Sequence, residues 1–214
     1  MPPSLDTLPP EILFAILSYS SPFNASLAPR HHPLRALAAT STHLRSVVEE
    51  YCRSLLKRYA QITPPKTGKS FLCHRKWLRW LTTTCHLCGK SSKRKAILDP
   101  SLTCCAACDK KAFAKMTMTA AITTHHLSKL DLFTPNALHP ALPPLSLGTY
   151  FCMGGETLML AAPGVLTRKA HVHGLLGPGK ARDKGYLRRR VAAHDRLVAH
   201  MDVEFRVRGG VGRW

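Results

Sequence analysis

The chain has 214 residues, 45% of them apolar, with 7% aromatics and 16 prolines; this fits one domain or two small ones, made of small helical packs joined by Pro-rich loops. The formal net charge of +19 calls for a counter-surface of nucleic acid, an acidic protein face or anionic lipid. No apolar run of about 18 residues or more is present, which excludes a membrane-spanning helix, and Asp6 and Glu11 interrupt an N-terminus that has no basic leader, so the expected compartment is nucleus or cytoplasm.

The first predicted element lies within residues 5–19, LDTLPPEILFAILSY. Leu8, Ile12, Leu13, Ile16 and Leu17 recur at helical spacing. Asp6 or Thr7 is the expected cap, with Pro9 and Pro10 in the first turn, where a missing N–H costs nothing. Residues 20–33 read as a Ser/Pro/His-rich loop. A second helical pattern starts with Leu34, Leu37 and Ala38 and breaks at Thr40 or Ser41, either able to cap the next helix. It resumes through Leu44, Val47, Val48, Tyr51, Leu55 and Leu56 to Tyr59. Pro64, Pro65 and Gly68 mark a linker. Residues 71–84 form a short predicted helix whose Trp77 and Trp80 pack against a neighbour.

Eight cysteines in a reducing compartment argue for metal before disulfides. Cys85 and Cys88 are separated by two residues, as are Cys105 and Cys108, with sixteen residues between the pairs. Each pair sets two thiolates on one tight knuckle, and two knuckles close a tetrahedron around zinc. Gly89 follows the first pair, where a permissive backbone lets amides point back at sulfur. Four thiolates leave no open position for water, so the expected role is structural, not catalytic. Cys104 offers an alternative x3 pairing with Cys108; the x2 knuckle favours Cys105. His86 sits between two better ligands. Lys90, Lys93, Arg94 and Lys95 stand ready to offset the excess negative charge. Cys52, Cys73 and Cys152 read as core residues.

Beyond the module, Thr119 is the expected cap of a helix over 120–127. Pro135, Pro140, Pro143 and Pro144 punctuate a loop. Residues 148–160, GTYFCMGGETLML, read as a strand, a Gly turn and a second short element. Pro178 and Gly179 precede a basic helix near 181–200. The tail alternates at Val203, Phe205 and Val207 until Gly209 and Gly210.

The charge sits in two blocks: 66–115, with twelve basic and two acidic side chains, and 166–214, with twelve basic and four acidic. Acidic residues are scarce, and none is assigned as a catalytic carboxylate pair. The histidine clusters, His31–His32, His125–His126 and His171/His173, have no evident carboxylate partner and read as loop or half-buried residues. The stretch LLGPGKARDKG lacks the Walker spacing. No catalytic residue is assigned, and an enzyme is not expected.

Two resemblances add to this reading. Leu8-Pro9-Pro10-Glu11-Ile12-Leu13 followed by Ile16-Leu17 resembles the opening helix of the F-box, and LRALAATSTHLR, starting at Leu34, its later segment. The resemblance implies docking onto the Skp-type adaptor of a cullin–RING ubiquitin ligase, with Leu8, Pro9, Ile12, Leu13, Ile16 and Leu17 at or beneath the docking face and the remainder selecting a protein substrate. Residues 85–132 resemble the zinc region of the xeroderma pigmentosum group A DNA-repair protein: after the two CxxC pairs, Met116, Thr117, Thr119, Ala121, Leu127, Asp131 and Leu132 fall in matching places, with Met118 and Ile122 where that family has lysines. A shared zinc fold does not bring DNA repair with it. The combination is similar to a group of fungal F-box proteins that continue with Leu138-His139-Pro140, Pro143-Pro144-Leu145, Gly148-Thr149-Tyr150 and a basic helix.

The expected fold class is therefore mostly α with small β elements: N-terminal F-box-like helices (1–62), a linker and Trp-containing helix (63–84), a four-cysteine zinc module (85–132), and a Pro-rich segment leading to a basic C-terminal helix (133–214). The expected function is a non-catalytic, substrate-recruiting adaptor of a ubiquitin ligase with one structural Zn2+. The alternative is a nucleic-acid-binding zinc protein in which Lys93, Arg94, Lys95, Arg188, Arg189 and Arg190 contact phosphates.

Overall fold

The computed structural model of the protein describes residues 5–65, 71–133, 143–152, 154–201, 206–208 and 211–213. Gly68, Pro135, Leu138-His139-Pro140, Val203, Phe205, Gly209, Gly210 and the side chains of Asp6, Cys152 and Val207, all used above, lie outside the described residues. Helix dominates, with a small three-stranded sheet. The chain divides into two compact units, Met1–Asp109 and Lys110–Trp214.

In the first unit, α1 spans Pro10–Tyr19 with Pro9 at its N-cap and no side-chain cap. Residues Leu5–Thr7 form a separate 3-10 turn. The helix therefore starts later than a cap at Thr7 would place it: a residue before proline is pushed out of the helical region, so Pro9-Pro10 fixes the start at Pro10, while the side chain of Asp6 lies outside the described residues. Helix α2 (Pro33–Ala38) is capped by His32, whose Nδ1 accepts the Leu34 N–H at 3.3 Å. Helix α3 (Thr42–Leu55) is capped by Ser41, whose Oγ accepts the Leu44 N–H at 3.1 Å. Its Leu44, Val47, Val48, Tyr51, Cys52 and Leu55 are buried on one stripe. A π turn, Leu56–Ala60, ends it at a left-handed Gln61.

Helix α4 (Cys73–Thr83) closes this core. Trp77 is fully buried, packs edge-on against Phe23 and donates its indole N–H to the Pro22 carbonyl at 2.9 Å. A buried indole needs such a partner, and the 20–33 loop supplies it. Cys52 and Cys73 are core residues, as expected; burial pushes both thiols up. His74 pairs with Glu49, whose other oxygen accepts the Cys73 N–H at 2.5 Å.

The boundary between the units falls inside α5 (Ala106–Ala112). The second unit begins with β1 (Lys115–Thr117) and α6 (Met118–His125). Thr117, not Thr119, caps α6: its Oγ1 accepts the Ala120 N–H at 3.1 Å, because the extended end of β1 places that hydroxyl over the first turn. Helix α7 (Lys129–Phe133) follows a reciprocal cap between Ser128 and Asp131. Strands β2 (Leu147–Cys152) and β3 (Gly155–Ala161) form an antiparallel hairpin around Gly154, and β1 adds to β3, giving the order β1-β3-β2.

Helix α8 (Ala162–Arg182) is an element that sequence reading did not propose. Val165, Arg168 and Val172 are its buried face, and the helix breaks at Gly177. A Cβ on Gly164 would sit 2.6 Å from Leu145 Cδ1, so an alanine there would have to push the end of the Leu145 side chain aside. Helix α9 (Lys184–His200) is capped by Asp183 through the Tyr186 N–H at 3.0 Å, so the expected start near 181 moves to 184. Strands β4 (Arg206–Arg208) and β5 (Val211–Arg213) pair antiparallel. No helix among the described residues is long and apolar enough to cross a membrane.

Candidate metal centre

The first cysteine knuckle is shaped by the backbone. The Gly89 N–H reaches the Cys85 carbonyl at 2.9 Å and the Cys85 N–H reaches Lys90 O at 2.8 Å. Closing that turn needs the left-handed φ of 71° that Gly89 adopts. Short bridges, Thr84 with Ser91 and Lys95 with Thr103, hold the segment between the pairs as a narrow antiparallel ribbon. The second knuckle leads into α5, where the Asp109 N–H bonds the Cys105 carbonyl at 2.9 Å.

These two turns bring the sulfurs of Cys85, Cys88, Cys105 and Cys108 within 4.8 Å of one another. Sulfurs arranged tetrahedrally at about 2.3 Å from one ion lie about 3.8 Å apart, and the Cys88 and Cys105 Sγ atoms are 3.7 Å apart. The four cysteines are close enough to hold one metal ion. Cys85 is buried, Cys105 and Cys108 half-buried and Cys88 exposed. Burial opposes ionisation of Cys85, but the N–H groups of Cys105, Leu87 and Cys88 aimed at its sulfur outweigh it and bring the thiol down to about 6. Amides pointing at sulfur are the environment a metal-bound thiolate needs.

The structure separates the four clustered cysteines from their neighbours. Cys104 lies outside the cluster; it is buried, and its Sγ contacts the Cys105 carbonyl at 3.5 Å. His86 turns away from the sulfurs. Its ring lies flat on Trp80, 2° from parallel, and Trp80 in turn stacks on Trp77. His86 Nε2 bonds the Leu81 carbonyl at 3.1 Å. The knuckles are thereby seated on α4 and the helical core of the same unit. Thr103 donates to Leu81 O at 2.5 Å, and the Ala25 N–H bonds Ser101 O at 2.7 Å.

Of the four cations expected to offset charge, Lys95 and Arg94 have other partners. Lys95 Nζ donates to Ala25 O at 2.7 Å and to Thr103 Oγ1 at 3.1 Å. Arg94 reaches the buried carboxylate of Asp109 at 3.4 Å, and Asp109 also accepts the Ile97 N–H. Lys90 and Lys93 are exposed. In the second unit, Arg188 and Arg189 are exposed on α9. Arg190 is not: both terminal nitrogens hold the fully buried Asp131, at 2.8 and 2.5 Å.

The residues expected at an adaptor face divide as an amphipathic helix should. Leu13 and Leu17 are buried and Leu8 is half-buried, all in the core of the first unit. Pro9, Ile12 and Ile16 are exposed, and so are Leu5 and Tyr19. Exposure reaches 49% for Ile12 and 88% for Tyr19.

No family model, curated protein or solved structure matches this chain.

Proposed function

We propose that this protein is a non-catalytic, substrate-recruiting adaptor of a Skp-type cullin–RING ubiquitin ligase, acting in nucleus or cytoplasm, with one structural zinc ion held by Cys85, Cys88, Cys105 and Cys108. The observation that carries this reading is the apolar stripe on α1. Ile12, Ile16 and Tyr19 stand in solvent at intervals of four and three residues, with Leu5 and Pro9 exposed just before the helix, while Leu13 and Leu17 of the same helix fill the core. Large apolar side chains grouped in solvent along one helix are the mark of a protein–protein contact. It coincides with the F-box-like residues, so a Skp-type adaptor is the partner it suits. Zinc is the metal of choice because four thiolates at tetrahedral spacing favour it and leave no ligand position for chemistry.

The Ile12→Asp/Ile16→Asp double variant tests this. It should keep its metal and its fold, since both side chains face water, and lose at least roughly tenfold in affinity for purified Skp-type adaptor. Retention of wild-type binding, or no binding by the wild-type protein, rejects the adaptor.

The second reading, a zinc protein that binds nucleic acid, rests on the exposed Lys93, Arg188 and Arg189, with Arg188 and Arg189 on a basic C-terminal helix. It expects affinity for an RNA or DNA oligomer that drops steeply between low and physiological salt. A salt-independent affinity contradicts it.

A further inference from the structure

A cleft of about 310 Å³ opens where α2, α3 and α4 meet, lined by Arg35, Ala38, Arg45, Leu72, His74 and Arg75 among others. It is separate from the sulfur cluster and from the apolar stripe of α1. Its lining is mostly apolar, Ala38 and Leu72 included, and three of the residues that line it are exposed arginines, Arg35, Arg45 and Arg75. Arg45 is steered over the cleft by a bond from its Nε–H to the Ala38 carbonyl at 3.2 Å. Among the described residues, none of Arg35, Arg45 and Arg75 makes an ion pair. The carboxylate beside this site, Glu49, is engaged by His74 and the Cys73 N–H. The cleft therefore presents excess positive charge around an apolar pocket at the lower end of ligand-pocket size, large enough for one or two side chains.

We infer that this cleft receives an acidic peptide segment of a partner protein, an apolar side chain entering between Ala38 and Leu72 while flanking carboxylates meet Arg35, Arg45 and Arg75. Guanidinium forks match carboxylates in geometry and charge, and three of them around one apolar opening exceed what a single small anion can engage. A peptide supplies spaced carboxylates and the apolar anchor together. The inference stands apart from the adaptor reading; where that reading holds, the cleft is the place at which an acidic segment of the recruited protein is read.

Fluorescence anisotropy on the full, metal-loaded chain tests it, with a fluorescein-labelled hexapeptide alternating glutamate and leucine as probe. Saturable binding is expected, weakening with added salt, with glutamine in place of glutamate and with serine in place of leucine. Arg35→Gln and Arg75→Gln should each lose roughly tenfold in affinity, while Arg79→Gln, on α4 but outside the cleft, should not change it. The Ile12→Asp/Ile16→Asp variant should bind the peptide normally, which separates failure of this site from failure of the adaptor contact. No saturable binding by the folded protein, equal binding of the uncharged peptide, or an unchanged affinity in both cleft variants overturns the assignment. Displacement of the probe by a uridine oligomer or by anionic vesicles more readily than by unlabelled peptide overturns it in favour of those polyanions.

Discussion

Replacing Cys85 with serine should release the metal and unfold the cysteine ribbon, whereas Cys104→Ser should leave one equivalent of zinc in place. The two residues are both buried cysteines of the same module, so the contrast isolates ligation from packing. Loss of a structural zinc forfeits binding free energy of order 10 kcal/mol in isolated zinc modules, since binding and folding are one process there. Here the ribbon is also tied to the helical core through Thr103, Lys95 and the His86–Trp80–Trp77 stack. Its collapse should therefore lower the thermal midpoint of the whole first unit. Cys104 contributes a buried side chain, and its serine variant should cost about 1–3 kcal/mol. Metal content by plasma mass spectrometry, read beside thermal melts with and without chelator, decides the matter. A Cys85→Ser protein that keeps stoichiometric zinc, or a Cys104→Ser protein that loses it, assigns the ligands wrongly.

Arg190→Met should destabilise the second unit by about 3–5 kcal/mol at neutral pH, the cost of leaving a buried carboxylate unpaired. Arg188→Met and Arg189→Met, on exposed positions of the same helix, should stay within about 0.5 kcal/mol of wild type. Burial alone would raise the Asp131 carboxyl, but the Arg190 guanidinium and the Ser128 N–H outweigh it and hold it below the usual carboxylate range. A carboxyl with a depressed folded pKa stabilises fully above its unfolded value, about 4, and loses that stabilisation as pH falls through the folded value. In Arg190→Met the sign reverses, because burial now dominates and raises the Asp131 pKa. Acidification should then narrow the gap between variant and wild type. Urea unfolding at neutral and at acidic pH measures both effects, and a gap that widens on acidification refutes the assignment of the loss to Asp131.

How far each site was legible follows the range of its interactions. The helical stripe of α3 and its cap are local, fixed by residues three and four apart; the stripe stands as the sequence pattern predicts, and of the two expected caps, Thr40 and Ser41, it is Ser41 that serves. The start of α1 is local as well, but Pro9-Pro10 sets it, with Pro9 at the N-cap position and Pro10 as the first helical residue. Helix α8 was missed because Pro163, Gly164 and Gly174 dilute the helical signal; the Val165–Val172 interval is the trace it left. The cleft had no sequence signature at all, for its three arginines lie on three different helices.

The amino-acid sequence alone singled out the four cysteines that cluster and the helical pattern of α1, while the division of that helix into buried Leu13 and Leu17 and exposed Ile12 and Ile16 came from the tertiary structure. A CxxC turn and a helical stripe are complete within a few residues, and no distant contact is needed to define them. Which cations remain open to a partner was decided only by the tertiary structure. Lys95 is held by the Ala25 carbonyl 70 positions away, and Arg190 by Asp131 59 positions away. A basic run looks uniform in one dimension. Once folding buries a carbonyl or a carboxylate, desolvation makes its nearest cation a structural partner, and the exposed neighbours alone keep their charge for another molecule.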